Sequence, residues 1–160
     1  MATLDDLSFR HRMFMRTYRF RSVDWLPGAS LKQPLSESKF ALVTTAALHL
    51  PEQPAYNSNI RGGDCSFREL PVQVDLNQLR IAHRSSEFDQ TGAREDPNLV
   101  FPRDRFQELV SAGKVGALNH RHFSLMGSIT TPGQLISETA PAVAELLRQD
   151  RVEAVFLLPV

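Results

Sequence analysis

Short apolar runs alternate with long polar segments along this chain, and the runs predict the strands of a sheet. Residues 39–46 are apolar and rich in β-branched side chains, which is typical of a strand buried on both faces in a parallel sheet. Shorter runs at 79–83, 115–118 and 123–126 predict further strands, the last two being one bent strand or two separate ones. A final apolar run at 154–158 predicts another buried strand.

Two segments with the spacing of amphipathic helices lie between these strands. Residues 103–112 follow Pro102, a favourable first helical residue, and end before Gly113. A second helix opens after Thr131, and Pro141 predicts a kink or a broken first turn in it. Because this helix leads into the last apolar run, the two form the second half of a βαβ unit. The sequence therefore predicts an α/β fold of three layers, with a mainly parallel sheet and flanking helices, of the Rossmann or flavodoxin-like type.

The first 30 residues form a separate segment, which predicts two regions: an N-terminal helical segment at 1–30 and an α/β domain at 31–160. Residues 4–21 have amphipathic helical spacing and carry a basic cluster, comprising Arg10, His11, Arg12, Arg16, Arg19 and Arg21. One interpretation is a helix that packs Phe14 on a core or a partner while its arginines reach water. The other is a phosphate-binding arm, which the balanced net charge does not favour.

Composition and charge exclude several classes of protein. Lys plus Arg and Asp plus Glu both number 18, whereas a nucleic-acid binder normally carries an excess of positive charge. The chain lacks both a run of about 20 apolar residues and the apolar region of a signal peptide. Its single cysteine, Cys65, cannot form an internal disulfide. These features predict a cytoplasmic protein that binds neither nucleic acid nor membrane.

Two long polar loops, at 48–77 and 84–98, are candidates for a binding site. The first leaves the carboxyl end of the first strand, which is where open α/β sheets bind their ligands. Within it, residues 61–64 (Arg-Gly-Gly-Asp) are a weak signal for an anion-binding backbone nest. Cys65 adjoins Asp64, whose charge disfavours a thiolate, so an inert thiol is favoured over a nucleophile.

Three histidines follow or adjoin successive strands: His49, His83 and His122. If they converge on one pocket they can act as general acids or bases, although each one alone is more commonly a structural residue. A three-histidine metal site is a minor option because no tight spacing supports it, and no metal is predicted. Polar side chains in and after the second loop are predicted to contact substrate, namely Asp89, Asp96, Asn98, Arg105 and Ser124. For the acidic ones the alternative is a solvated loop surface beside a helix N-terminus.

Taken together, several segments resemble one family. Residues 34–49 read Pro-Leu-Ser-Glu-Ser-Lys-Phe-Ala-Leu-Val-Thr-Thr-Ala-Ala-Leu-His, which is similar to the first-strand motif of the selenoprotein B family of glycine, sarcosine, betaine and D-proline reductases. The resemblance continues through residues 63–71, 81–83, 96–105, 121–127, 138–141 and 152–160. It covers the chain from about residue 12 onward, and the combination of segments is specific although each one alone is weak.

The resemblance implies an oxidoreductase whose redox residue lies outside these 160 residues. Family members continue past the last strand with a Cys-x-x-Cys-like motif that starts with selenocysteine or cysteine. That implies a selenocysteine or cysteine directly after Val160, no cofactor in the chain itself, and a sequence that is the N-terminal part of a subunit closest in size to the D-proline type. The other interpretation is a domain that simply ends on its last strand.

The implied reaction is the reductive cleavage of a carbon–nitrogen bond. A selenolate or thiolate attacks the α-carbon of a substrate that is activated by a pyruvoyl- or carbonyl-bearing partner subunit. His49, His83 and His122 are the candidates for stabilising that anion and protonating the leaving amine. A homodimer is a further expectation. The competing hypothesis is a non-catalytic α/β module that binds a partner subunit or small ligand through loops 48–77 and 84–98.

Overall fold

The computed structural model describes residues 3–18 and 29–160, and the chain divides into two compact units, Met1–Ser30 and Leu31–Val160. In the first unit a 3-10 turn at Leu4–Asp6 precedes helix α1, Phe9–Thr17. The helix predicted for residues 4–21 is therefore split, and its last part, with Arg19 and Arg21, lies outside the described residues. Phe14 is 57% exposed, so the predicted packing of this side chain on a core is not seen in the part of the chain described.

The second unit contains seven strands and three α-helices within residues 29–160. The strands are β1 Lys39–Thr44, β2 Leu48–His49, β3 Phe67–Pro71, β4 Arg80–Ile81, β5 Ala117–Leu118, β6 Arg121–Leu125 and β7 Ala154–Leu158. The helices are α2 Thr91–Glu95, α3 Arg103–Ser111 and α4 Ala140–Gln149, with 3-10 turns at Leu35–Glu37, Leu76–Gln78 and Pro97–Leu99. A π-helical turn at Leu135–Thr139 comes before α4, which confirms the irregularity predicted from Pro141.

Strand β1 is the centre of the main sheet. One of its edges pairs in parallel with β5 and then with β6, and the other pairs in parallel with β7. β3 adds to β6 in antiparallel orientation, while β2 and β4 form a separate two-stranded sheet. The prediction of an α/β fold with a mainly parallel sheet is confirmed, and the predicted pair of runs at 115–126 is two strands. The Rossmann or flavodoxin-like assignment stays a prediction.

Helices cover both faces of β1 because its side chains alternate between two cores. Leu42 lies in one core with Phe106 of α3. Val43 lies in the other with Val143 and Leu147 of α4. The four consecutive apolar residues 40–43 need this double cover, since each fully buried side chain the size of leucine or valine contributes about 1.5–3 kcal/mol.

The chain winds in opposite directions on the two sides of β1. Helix α3 packs on one face of β1 and leads to β5, which pairs with one edge of β1. Helix α4 packs on the other face and leads from β6 to β7, which pairs with the opposite edge of β1. Such a reversal opens a crevice outside the carboxyl ends of the strands that flank it, and ligands bind there in open α/β sheets. The fold therefore places its binding crevice at the ends of β1 and β7.

Two strands differ from the sequence-based expectations. β3 lies within residues 48–77, where the sequence has no strand period. The period is absent because β3 is an edge strand with one neighbour, and such a strand does not need alternating apolar residues. β7 is not the buried strand that was predicted, since Val155, Phe156 and Leu157 are 38%, 38% and 68% exposed. Within residues 29–160 it pairs only with β1, so one of its edges is open.

An ion-pair cluster holds the amino-terminal end of the sheet, opposite the crevice. Arg121 Nε and Nη2 donate to the two carboxylate oxygens of Asp150 at 2.7 and 2.9 Å, and Asn119 Nδ2 donates to the same carboxylate at 2.8 Å. The Arg121 guanidinium is the main reason that the pKa of Asp150 falls to about 2. Because the Asp150 side chain is only 8% exposed, this pair is weakly screened and joins β6 to the end of α4.

We expect Asp150→Asn to lower the free energy of unfolding by about 2 kcal/mol at neutral pH, since a pKa shift of this size corresponds to that energy. The carboxylate binds a proton more weakly in the folded state, so its contribution is complete above the usual pKa of 3.8 and is lost as the pH falls towards 2. Urea unfolding at several pH values measures this difference. Glu145→Gln, in an exposed pair with Arg148, is the control and should change stability by under about 0.5 kcal/mol. Equal effects of the two substitutions would contradict the prediction.

Candidate functional site

Thr45 and Val160 join the carboxyl ends of β1 and β7. The Thr45 N–H donates to the Leu158 carbonyl at 3.1 Å. The Val160 N–H donates to the Thr45 hydroxyl oxygen at 2.8 Å, and that hydroxyl donates to the Val160 carbonyl oxygen at 3.4 Å. The pairing of the two strands thus continues past β7 and fixes Val160 at the crevice.

Gly127, two residues after β6, allows three polar groups to meet beside this junction. A Cβ atom on Gly127 would lie 2.6 Å from His83 Nε2, 2.9 Å from the Val160 carbonyl oxygen and 3.1 Å from the Thr45 carbonyl oxygen. These distances leave no room for a side chain. The absence of one at position 127 is what lets His83 approach the ends of β1 and β7.

His83 presents an unpaired donor at this point. Its Nδ1 accepts a hydrogen bond from the Ser85 N–H at 3.2 Å, so in the neutral ring the proton sits on Nε2. Nε2 is buried and has no hydrogen-bond partner among the described residues. Burial lowers the pKa of His83, and the Phe88 ring packs edge-on against it at 5.1 Å between centroids. A neutral imidazole keeps one Nε2–H to donate, and here it is aimed at the region of Gly127 and Val160 rather than at open solvent.

An open cleft of about 420 Å³ lies in front of His83. Its lining comprises His83, Ser85, Glu87, Phe88, Asp89, Ser128 and Val160. The Asp89 carboxylate accepts from the Thr91 N–H at 2.9 Å, and this bond lowers its pKa. With two carboxylates, an aromatic ring and no basic chain besides the imidazole, the cleft suits a cationic ligand group.

The structure does not bring the other two predicted histidines to this cleft. His49 is buried in β2, and its Nδ1–H donates to the Leu50 carbonyl at 2.9 Å. His122 is fully buried near the amino end of β6, where its Nδ1 accepts from the Leu42 N–H at 3.1 Å and its ring meets Phe101 edge-on. These two bonds are to backbone groups. Like that of His83, the Nε2 of His122 has no described partner, but it is enclosed in the core away from the cleft.

Of the five predicted substrate contacts, the structure brings only Asp89 to the cleft. Asp96 and Asn98 bond to each other, with the Asp96 carboxylate accepting from the Asn98 N–H at 2.9 Å. Arg105 forms an exposed ion pair on α3 with Glu108. Ser124 is fully buried, and its hydroxyl oxygen accepts from the Leu48 N–H at 2.7 Å.

Sequence reasoning did not single out Thr45, Gly127 or Ser128, and it named Val160 only as the residue before the expected redox group. Ser128 adopts a left-handed φ of 56°, which is rare for a residue other than glycine and is common at functional sites. A glycine just after a predicted strand was the available signal for Gly127. The contacts of Thr45 and Val160 carried no local signal, because they depend on strands more than 100 residues apart being neighbours.

The first polar loop packs on the chain that follows β6. Gly62 and Gly63 have φ values of 94° and 105°, and their α-carbons lie against Thr131 and Ile129. The Gly62 carbonyl accepts from the Thr130 N–H at 2.8 Å. Glycine is needed at both positions because a side chain there would collide with Thr131 or Ile129. Cys65 beside them is buried, in agreement with an inert thiol.

Within the described ranges, 3–18 and 29–160, no group of three or more His, Cys, Asp or Glu side chains is placed to hold a metal ion. No helix in the same residues has the length and apolar character needed to cross a membrane.

The fold and the cleft define an α/β protein with a candidate ligand site where the carboxyl ends of two parallel strands meet. A family model described as glycine/sarcosine/betaine reductase selenoprotein B matches residues 7–159. The chain belongs to this family, which confirms the resemblance. D-proline reductase subunit gamma of Acetoanaerobium sticklandii is 29% identical over 133 residues, which are 83% of this chain and 52% of that protein. The chain therefore spans about half the length of this relative. No solved structure gives a significant match.

Proposed function

We propose that this chain is part of a reductase subunit that cleaves the carbon–nitrogen bond of a small amino-acid-type substrate in the cleft at the ends of β1 and β7. The observation that carries the proposal is the unpaired His83 Nε2, which lies beside the Val160 carbonyl and the end of β1. The family description and the name of the relative supply the reaction class and the candidate substrates glycine, sarcosine, betaine and D-proline.

The redox group of the proposed reaction is a selenocysteine or cysteine directly after Val160 in the complete subunit. Cys65 is the one cysteine in the sequence, and it is buried. Val160, by contrast, lines the cleft and is fixed by Thr45. A selenol or thiol at that position would supply the nucleophile that displaces the amine. A second thiol, the other member of the Cys-x-x-Cys-like pair, would then release the reduced product. The resulting selenenyl sulfide or disulfide would be reduced by the external dithiol. The free Nε2–H of His83 fits such a group, because a donor next to a selenolate or thiolate favours the anion.

The cleft residues have distinct roles in this proposal. His83 is neutral, so it stabilises an anion by hydrogen bonding rather than by full positive charge. Asp89 and Glu87 attract the cationic amine of the substrate. His122 Nε2 also lacks a described partner, but His49, His122 and Ser124 do not line the cleft. The proposal therefore assigns the reactive role to His83, the one of the three histidines that lines the cleft.

The proposed subunit works with further polypeptide. The relative is itself named as a subunit. In this chain, the open edge of β7 borders an apolar groove formed with α4, where Val155 and Leu157 face Val143 and Leu147. An open apolar edge strand is prone to pair with another strand, so we propose that it is covered in the complex. A carbonyl- or pyruvoyl-bearing partner subunit that activates the substrate, and a homodimer, are the two predicted partners.

The first test is the intact mass and selenium content of the protein purified from its source. A species heavier than 18.0 kDa that contains selenium or a further cysteine supports the proposal. The same preparation should cleave the carbon–nitrogen bond of at least one of the four substrates in a dithiol-dependent assay with its partner subunits. The readout is released amine for glycine, sarcosine and betaine, and the ring-opened amino acid for D-proline. A native mass of 18.0 kDa without selenium would favour the alternative, a non-catalytic module that binds through loops 48–77 and 84–98.

In that assay we expect His83→Ala to lower kcat at least about 100-fold, because the Nε2–H is the proposed donor to the reacting group. His120→Gln is the control, since His120 is 67% exposed near Asp150, at the opposite end of the sheet. An active protein that His83→Ala leaves unaffected would remove His83 from the site while leaving the reaction class intact. An inactive complex with a confirmed redox residue would overturn the reaction class itself.

A further inference from the structure

A second cavity, of about 490 Å³, lies beside β4 and is separate from the cleft at His83. It is enclosed by β4, the 3-10 turn at Leu76–Gln78, α2 and the chain at 97–100. Its apolar lining comprises Leu48, Leu76, Leu79, Ile81, Ala93 and Val100. The volume is within the range of small-molecule sites, which are mostly apolar with a few polar groups that orient the ligand.

The charged side chains at this cavity are both basic. Arg80 and Arg94 line it together with Asn77, and none of its ten lining residues is acidic. Arg94 Nη2 donates to the Gln90 side-chain oxygen at 3.0 Å. Neither guanidinium has an ion pair with a described carboxylate, unlike Arg105, which pairs with Glu108 at 2.9 Å. Two guanidinium groups at one apolar cavity leave positive charge available to a ligand.

We propose that this cavity binds a small organic anion, namely a carboxylate attached to a compact apolar group. The carboxylate pairs with Arg80 and Arg94 at the rim, and the apolar group enters the space between β4 and α2. No residue of this cavity lines the cleft at His83. The cavity therefore lies outside the cleft of the proposed reaction, and binding there goes beyond that reaction. Arg94 also borders the surface formed by Glu87 and Asp89.

The position of the cavity connects it to the cleft through the chain. His83 follows the end of β4 by two residues, and Asp89 precedes the start of α2 by two residues. A ligand between β4 and α2 thus holds both ends of the segment that carries the cleft residues at 83–89. The ligand also stabilises the folded protein, since it binds the native state alone.

Calorimetric titration of the full-length protein with 4-methylpentanoate tests the proposal. We expect saturable one-to-one binding, and binding at least about tenfold weaker for the neutral probe 4-methylpentanamide. Arg80→Gln and Arg94→Gln should each weaken 4-methylpentanoate binding about tenfold, and the double variant should abolish it. Arg105→Gln is the matched control and should bind like the unaltered protein. Both arginines at the cavity are exposed, so their substitution should leave the melting temperature without ligand unchanged.

Ala93→Leu tests the apolar part of the site without changing its charge. The added side chain occupies the cavity, so we expect binding to be lost while the unliganded protein remains folded in the same calorimeter. Binding that survives Ala93→Leu would place the anion on surface arginines and overturn the cavity assignment. The proposal also fails if the unaltered protein shows no saturable binding at about 10 mM, or if the amide binds as well as the carboxylate.

Discussion

His122→Ala should lower the free energy of unfolding by about 4 kcal/mol at pH 7.5. Two costs combine in this substitution. Removing a fully buried aromatic ring that packs against Phe101 leaves a cavity, which costs about 3 kcal/mol or more. It also removes the acceptor of the Leu42 N–H, and an unsatisfied buried donor costs about 1–3 kcal/mol. The amide of Leu42 lies where the edge of β1 passes from β5 to β6, so no strand partner replaces the imidazole.

Urea unfolding monitored by circular dichroism measures this loss, and His122→Asn separates its two parts. Asparagine keeps an acceptor close to the position of Nδ1 and removes part of the ring. We therefore expect it to cost clearly less than alanine. If alanine and asparagine destabilise the protein equally, the bond to Leu42 contributes nothing, and packing alone accounts for the effect.

The same histidine gives the protein a pH dependence with a defined sign. Burial, aided by the positive charges of Arg103 and His120, lowers the pKa of His122 to about 4 from its usual 6.5. Between these values the unfolded chain binds a proton that the folded chain does not. Stability therefore falls as the pH drops below 6.5, and the loss reaches about 3 kcal/mol by pH 4. The difference in slope between unaltered protein and His122→Asn isolates this group from His83, whose pKa is also lowered. Parallel slopes would show that the pKa of His122 is the same in the folded and the unfolded chain.

The elements predicted best from the sequence are those with a strong apolar pattern. β1 and α3 were expected close to their observed bounds, and the helix predicted after Thr131 corresponds to the π-helical turn and α4. β1 and α4 each carry several core residues at a fixed period, whereas α3 carries one, Phe106. β3 was missed since its one neighbour does not impose that period. The apolar residues of β7 do not by themselves show what covers them, so its burial was inferred wrongly from composition.

The candidate site was predicted only where the chemistry is local. His83 and Asp89 lie six residues apart on one loop and do line the same cleft. The wider expectation was that histidines at successive strand ends would converge. It depended on all the strands belonging to one sheet, whereas β4 pairs with β2 outside the main sheet. His122, near the start of β6 rather than its end, is used to complete the backbone bonding of β1. A sequence does not distinguish such a structural imidazole from a reactive one, because the difference lies in which amide faces it.

The second large effect is expected from Gly127→Ala, which should lower stability by about 2 kcal/mol and kcat in the reductase assay by about 100-fold. A methyl group at this position would lie 2.6 Å from His83 Nε2 and 2.9 Å from the Val160 carbonyl oxygen. The imidazole can rotate away, but the backbone of Val160 must move with β7. Either displacement separates the donor from the end of the strand, and an error of about 1 Å there is enough to lose most of the rate.

Gly133→Ala is the matched control, because no atom lies within 4 Å of the position that its Cβ would take. Its stability should be unchanged or higher by about 0.5–1 kcal/mol, with normal activity. The two readouts also separate two models of the junction. A Gly127→Ala protein that is destabilised yet fully active would show that His83 and Val160 meet for structural reasons alone. A protein of normal stability with the expected loss of rate would show that the imidazole moved and the strand did not, which places the chemistry on the position of Nε2.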